Sequence, residues 1–145
     1  MPFIRIWIHL IWSTKNREKS INQTLRPKLL AHLLENAAKK QIYIDQINCT
    51  EDHCHALISL GASQSVKDVA FLLKGESSHW INKNKMTSGH FDWQDEYIAL
   101  SVSESQSKIV RAYIYNQQEH HRKKSFLEEY NQFIKKYGFK LDRTA

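Results

Sequence analysis

Two strand-like runs, IYIDQINCT starting at Ile42 and HCHALISL ending at Leu60, follow one another and are joined by the polar turn TED, whose Thr50 ends the first run. Runs rich in β-branched and aromatic residues, joined this closely, read as a β-hairpin. Segments of helical period flank the hairpin on either side. TLRPKLLAHLLENAAKKQ repeats Leu29, Leu30, Leu33, Leu34 and Ala37 at helical spacing, with Thr24 as its expected cap. SVKDVAFLLKGESSHWINKN begins at Ser65 and places Asp68 three residues later, close to a capping box. Outside these lie two more strand-like runs, FIRIWIHLIW over 3–12 and FDWQDEYIALSVSES. A helix over 106–123 follows, then a last helix that starts at Ser125 and stops at Gly138. The order β-α-β-β-α-β-α-α opens with the split βαβ pattern. The expected class is α+β: a ferredoxin-like βαββαβ antiparallel sheet with helices on one face, then two C-terminal helices. The other face is left free for a ligand or a partner.

A chain of 145 residues without repeats or a Pro/Gly-rich linker reads as one domain over 1–145. No apolar run approaches the roughly 18 residues of a membrane span, so no membrane partner is expected. The N-terminal MPFIRIWIHLIW carries Arg5 and His9 and lacks a small-residue cleavage site, so it reads as a strand and not as a signal peptide. The cytoplasm is the expected location. In that setting Cys49 and Cys54, the only cysteines, are expected to be free thiols. Lys and Arg number 21 against 15 Asp and Glu, a formal charge of +6, which favours polyanions such as nucleic acid. The charge is clustered in TKNREK (14–19), KNK (83–85) and HHRKK (120–124). Each cluster reads equally well as a solvated face.

His53 and His55 carry the chemistry. Side chains alternate along a strand, so both point to one face with Leu57, while Cys54, Ala56 and Ile58 point to the other. The small apolar set suits a surface beneath packed helices, and the histidines then lie on the open face. Two imidazoles so spaced lie within roughly 7 Å and can share a metal; the plain alternative is two half-exposed histidines without a ligand. A catalytic metal usually has three protein ligands, so a third must come from elsewhere. On the helix over 106–123, Tyr113 and Gln117 are spaced i, i+4 and share a face. If that helix crosses the open face, the Gln117 amide oxygen completes the shell and Tyr113 sits one turn away. A buried aromatic and a solvated glutamine are the plain readings of these two. Trp80 and His79 either pack or stack on bases, and packing is the expectation for Trp80.

HCHALI resembles the histidine–hydrophobic–histidine (HUH) motif of small bacterial single-tyrosine transposases, including REP-associated relatives. VRAYIYNQQEHHRKKSF resembles their tyrosine helix, with YIxNQ giving a nucleophile and a third ligand. HLIWSTKNR, LKGESSHWIN and FDWQDEYIALSVSES are similar to further blocks of that family, so the resemblance runs from about Phe3 to Gly138. It departs at Glu51-Asp52-His53, where the family often has Pro-Asp-His. The resemblance implies a metal-dependent endonuclease and strand transferase acting on single-stranded DNA. His53, His55 and Gln117 would hold Mg²⁺ or Mn²⁺, and Tyr113 would form a 5′-phosphotyrosine. It further implies a homodimer with joined sheets, in which the tyrosine helix serves its own subunit or its partner's, and recognition of hairpin DNA ends. Lys15, Arg17, Lys19, Arg122, Lys123 and Lys124 would contact phosphates.

Two other readings compete. One is a non-catalytic ferredoxin-like nucleic-acid-binding module, against which no basic-aromatic RNP1-like block is present. The other is a zinc-dependent hydrolase using His53, His55 and His120 or His121, which would leave Tyr113 without a role.

Overall fold

Strand β1 (Trp7–Thr14) runs through the middle of the molecule, and its alternating side chains feed two different cores. The computed structural model describes residues 2–119 and 124–137. After β1 come helix α1 (Leu25–Lys39), strands β2 (Tyr43–Cys49) and β3 (His53–Ser59), helix α2 (Val66–Lys83), strand β4 (Trp93–Val102), helix α3 (Ser107–Tyr115) and helix α4 (Phe126–Tyr137). The four strands form one sheet in the order β2-β3-β1-β4, with every neighbouring pair antiparallel. This is the expected ferredoxin-like α+β arrangement with a helical C-terminal addition. Among the described residues no helix is long and apolar enough to cross a membrane.

Leu10 and Trp12 of β1, Ile47 and Cys49 of β2, and Cys54, Ala56 and Ile58 of β3 meet Leu25, Leu29 and Leu33 of α1 and Val69, Ala70, Leu73 and Ile81 of α2. Helix α2 starts as its sequence predicts, the Ser65 hydroxyl accepting from the Asp68 amide at 3.1 Å. Helix α1 departs from expectation. Thr24 itself has helical dihedrals and makes no side-chain cap, while Asn22 Oδ1 accepts from the Leu25 amide at 2.7 Å. Trp80 packs against this core and stacks on His32 with centroids 4.1 Å apart, the packing role expected for it.

The opposite face is covered too. Trp7 and Leu57 pack with Ile114 of α3, and Ile11, Ile98 and Leu100 pack with Phe126 of α4. Asn48 of β2 fastens α3 down. Its Nδ2 donates to the carbonyls of Ile114 (3.0 Å) and Tyr115 (2.9 Å) at the end of the helix. Its Oδ1 accepts from Arg26 Nη2 at 2.6 Å and from the Cys49 amide at 2.9 Å.

Two expectations fail. Cys49 and Cys54 form a disulfide and are not free thiols. The hairpin register sets them directly opposite one another, Cα atoms 4.0 Å apart, a relation that compartment reasoning does not see. The helix expected over 106–123 is interrupted. α3 ends at Tyr115, Asn116 sits in a turn outside regular helix geometry, and helical structure resumes at residues 117–119. Gly138, expected to stop the last helix, lies outside the described residues.

Replacing Asn48 with Ala is expected to cost about 1–3 kcal/mol in urea unfolding, because it removes buried hydrogen bonds to two carbonyls and one guanidinium. Hydrogen exchange should quicken in α3 more than in α1. Asn48→Asp should keep the bonds from Arg26 and the Cys49 amide but not the hold on α3, since an oxygen would face the same two carbonyls.

Candidate active site between the sheet and the C-terminal helices

Alternation along β3 places His53 and His55 on the face covered by α3 and α4. Both are buried, at 1% and 0% exposure, so the half-exposed pair on an open face is not what the fold makes. Their Nε2 atoms converge on one carboxylate. Glu129 Oε1 lies 3.0 Å from His55 Nε2 and 3.4 Å from His53 Nε2. His53, His55 and Glu129 form a buried group whose ligand atoms all lie within 4.8 Å of one another, which can hold a metal ion. Gln117 is close by, its Oε1 3.3 Å from His53 Nε2. The Gln117 Nε2 is buried with no hydrogen-bond partner, as expected if that amide is there for its oxygen. Two imidazoles, a carboxylate and an amide oxygen are donors that fit a divalent cation.

Each imidazole is held from behind. His53 Nδ1 lies 2.7 Å from Asp52 Oδ1 and 2.8 Å from Thr50 Oγ1, both in the hairpin turn. His55 Nδ1 lies 2.8 Å from His9 Nε2 on β1. The Phe126 ring covers His53 with centroids 4.4 Å apart. Tyr113 of α3 donates its hydroxyl to the second oxygen of Glu129. Its ring is edge-on to His55 with centroids 5.7 Å apart. Glu129 lies in the first turn of α4, where the helix dipole favours negative charge, and Ser125 caps that turn, accepting the Glu128 amide at 3.2 Å.

Residues 3–117 match the family described as transposase IS200-like. The chain belongs to that family. No curated protein matches it. Among solved structures, it is similar to a candidate transposase from Deinococcus radiodurans R1, at 24% identity and TM-score 0.64, over 80% of this chain and 93% of that one. It is also similar to a REP-associated tyrosine transposase bound to a REP hairpin, at 14% identity and TM-score 0.63, over 83% of this chain and 72% of that one. These two likenesses concern the fold.

The fold of this transposase brings His53, His55, Gln117 and Tyr113 together. Glu129 joins them and was not anticipated from sequence. Lys15, Arg17 and Lys19 are exposed in the turn after β1. There Asn16 and Arg17 take left-handed dihedrals (φ 57 and 55), and the Arg17 guanidinium lies 6.0 Å from the Phe126 and Tyr130 ring centres at the rim of the site. Lys19 pairs with Glu51 at 3.6 Å, and Lys124 donates to Gln132. His120, His121, Arg122 and Lys123 lie outside the described residues.

Burial opposes ionisation throughout the cluster, and only at His53 and Glu129 do hydrogen bonds outweigh it. Burial resists a charge on His53, but its bonds to Asp52 and Glu129 outweigh that and raise its pKa above the ordinary histidine value. Burial resists the Glu129 charge, and the bonds to His53 and His55 hold its carboxyl far below the usual range. Burial, then the Glu129 charge, raises the Tyr113 phenol above its ordinary value. Burial and the charge of His55 lower His9 to about 3.

A raised folded-state pKa contributes stability that is complete below the ordinary histidine value of 6.5 and is lost as pH rises through the raised value. The melting temperature of the EDTA-treated protein is therefore expected to fall as pH climbs from about 6.5 upward. His53→Asn should flatten that fall. A wild-type melting temperature that stays level or rises over the same window would contradict the assignment.

Proposed function

We propose that the chain, read as one HUH domain over 1–145, nicks and joins single-stranded DNA, with Tyr113 as nucleophile and His53, His55, Glu129 and Gln117 as the cradle of a divalent cation. One observation carries the reading: the phenol of Tyr113 and the Nε2 atoms of both imidazoles meet on the single buried carboxylate of Glu129. A nucleophile and a metal cradle are thus built into one spot in a chain of the IS200-like transposase family.

In the proposed step the Tyr113 oxygen bonds to the scissile phosphorus and the bond from phosphorus to the 3′ oxygen breaks. The 3′ oxygen leaves and takes up a proton, and the 5′ end stays on the tyrosine as a phosphodiester. The chain's bond energy is thereby retained, so a second 3′-OH can reverse the step and join strands. Tyr113 gives up its phenolic proton in the same step, and the hydrogen bond to Glu129 holds the phenol in place beforehand. Burial, and after it the charge of that carboxylate, raise the phenol's pKa, so an offset to the charge favours the phenolate. When bound, a divalent cation, Mg²⁺ or Mn²⁺ by resemblance, would supply that offset and polarise a phosphoryl oxygen.

Hairpin-ended single-stranded DNA is the proposed substrate, supported by the likeness to a transposase bound to a REP hairpin. The exposed Lys15 and Arg17, the latter beside the Phe126 rim, suit its phosphates. A homodimer is proposed on the family resemblance. A His, His, Glu set is also the ligand set of zinc hydrolases, and such an enzyme would not need Tyr113.

Labelled single-stranded DNA from the flanks of the gene, incubated with the protein and Mg²⁺ or Mn²⁺, is expected to give an adduct that survives denaturation. Tyr113→Phe should reduce that adduct by about a thousandfold or more while DNA binding persists, and EDTA should abolish it. Cleavage that survives Tyr113→Phe would favour the hydrolase. Absence of cleavage by folded wild-type protein on all flanking substrates would sink the proposal.

A further inference from the structure

His9 interrupts the apolar side chains that β1 presents to α3 and α4. It lies between Trp7 and Ile11, is 4% exposed, and has Leu57 and Leu100 as its register partners. A polar ring in such a place is costly without a partner. Its Nε2 is 2.8 Å from His55 Nδ1, with ring centroids 5.0 Å apart. The other nitrogen of His55, Nε2, is 3.0 Å from Glu129 Oε1. His55 is therefore engaged at both nitrogens, and what it does at one limits what it does at the other.

A neutral imidazole has one N–H and one lone pair. When His55 Nε2 donates to Glu129, its Nδ1 is bare and His9 must donate. When His55 Nε2 gives its lone pair to a cation, its Nδ1 carries the hydrogen and His9 must accept. A carboxylate in place of His9 can only accept, and an ammonium can only donate. A neutral imidazole does either by changing tautomer. The arrangement differs from that of His53, whose Nδ1 faces the acceptor-only carboxylate of Asp52.

We propose that His9 is a positioning residue of the metal site, orienting the His55 ring and serving as the donor-or-acceptor partner of its Nδ1 so that Nε2 can bind a divalent cation. This rests on the His53, His55 and Glu129 site proposed above. Metal ligands of this kind commonly have such a partner behind them, and losing it typically costs about 10–100-fold in metal affinity.

The test is titration of Mn²⁺ alone into the full-length chain, followed by the electron paramagnetic resonance of the free ion. His9→Phe keeps ring bulk and removes both hydrogen-bonding roles. His9→Gln keeps both, since an amide offers either its oxygen or its nitrogen. The expected result is a weakening of about 10–100-fold for His9→Phe and retention within about threefold for His9→Gln, at matched thermal midpoints. Equal weakening by both variants would mean that only the ring's shape matters, and unchanged affinity in His9→Phe would mean that nothing at His9 matters; either overturns the proposal. His55→Ala separates the two levels: Mn²⁺ affinity that survives it removes the metal site itself, not merely the role of His9. Should His9→Phe fail to fold, nitrogen-15 spectra of the wild-type chain with Mg²⁺ decide. A hydrogen on His55 Nδ1 supports the proposal, and one on Nε2 refutes it.

Discussion

The carboxylate of Glu129 is buried among two imidazoles and a phenol, and an uncompensated charge in such a place costs several kcal/mol. The fold answers that cost from three directions. β3 brings the imidazoles, α3 brings the phenol, and α4 brings the carboxylate in its own first turn, where the dipole helps. Without the carboxylate, the histidines and tyrosine would be neighbours with nothing to share. With it, the three elements are tied at one point, and a charge is concentrated where a cation is useful.

That point sits on a sheet whose two faces are given over to different work. The side toward α1 and α2 is mainly apolar, carries the disulfide, and makes the larger core. The side toward α3 and α4 mixes leucine and isoleucine with His9, Asn48, His53 and His55. These four are engaged: Asn48 with the end of α3, His53 with Asp52, and His55 with His9. Buried polar groups are tolerated only when satisfied in this way, and here their partners also fix how the imidazoles face.

Some of this was legible in single residues. The strand–helix order followed from period and turn chemistry, and Ser65 with Asp68 announced the start of α2 correctly. Strand alternation alone placed His53, His55 and Leu57 together and opposite Cys54, Ala56 and Ile58. Spacing also put Tyr113 and Gln117 near one another, although the chain turns at Asn116 between them and does not run as one helix. The cap of α1 was misread because Asn22, three residues before Leu25, outcompetes Thr24 for the free amide. Asp52 stood next to His53 in the motif, but adjacency alone does not reveal that it bonds the ring.

Local pattern thus determined the βαββαβ order, the face that carries the histidines, and a set of residues suited to phosphate chemistry. Periodicity is a property of neighbouring residues, so a sequence reports it directly. Tertiary structure alone decided that the histidine face is covered, that Glu129 and not only Gln117 reaches the imidazoles, that His9 backs His55, and that Cys49 meets Cys54. Each of those depends on the register of two strands or the docking of a helix across a sheet. Register and docking come from the fit of distant surfaces, and no spacing within one segment encodes them.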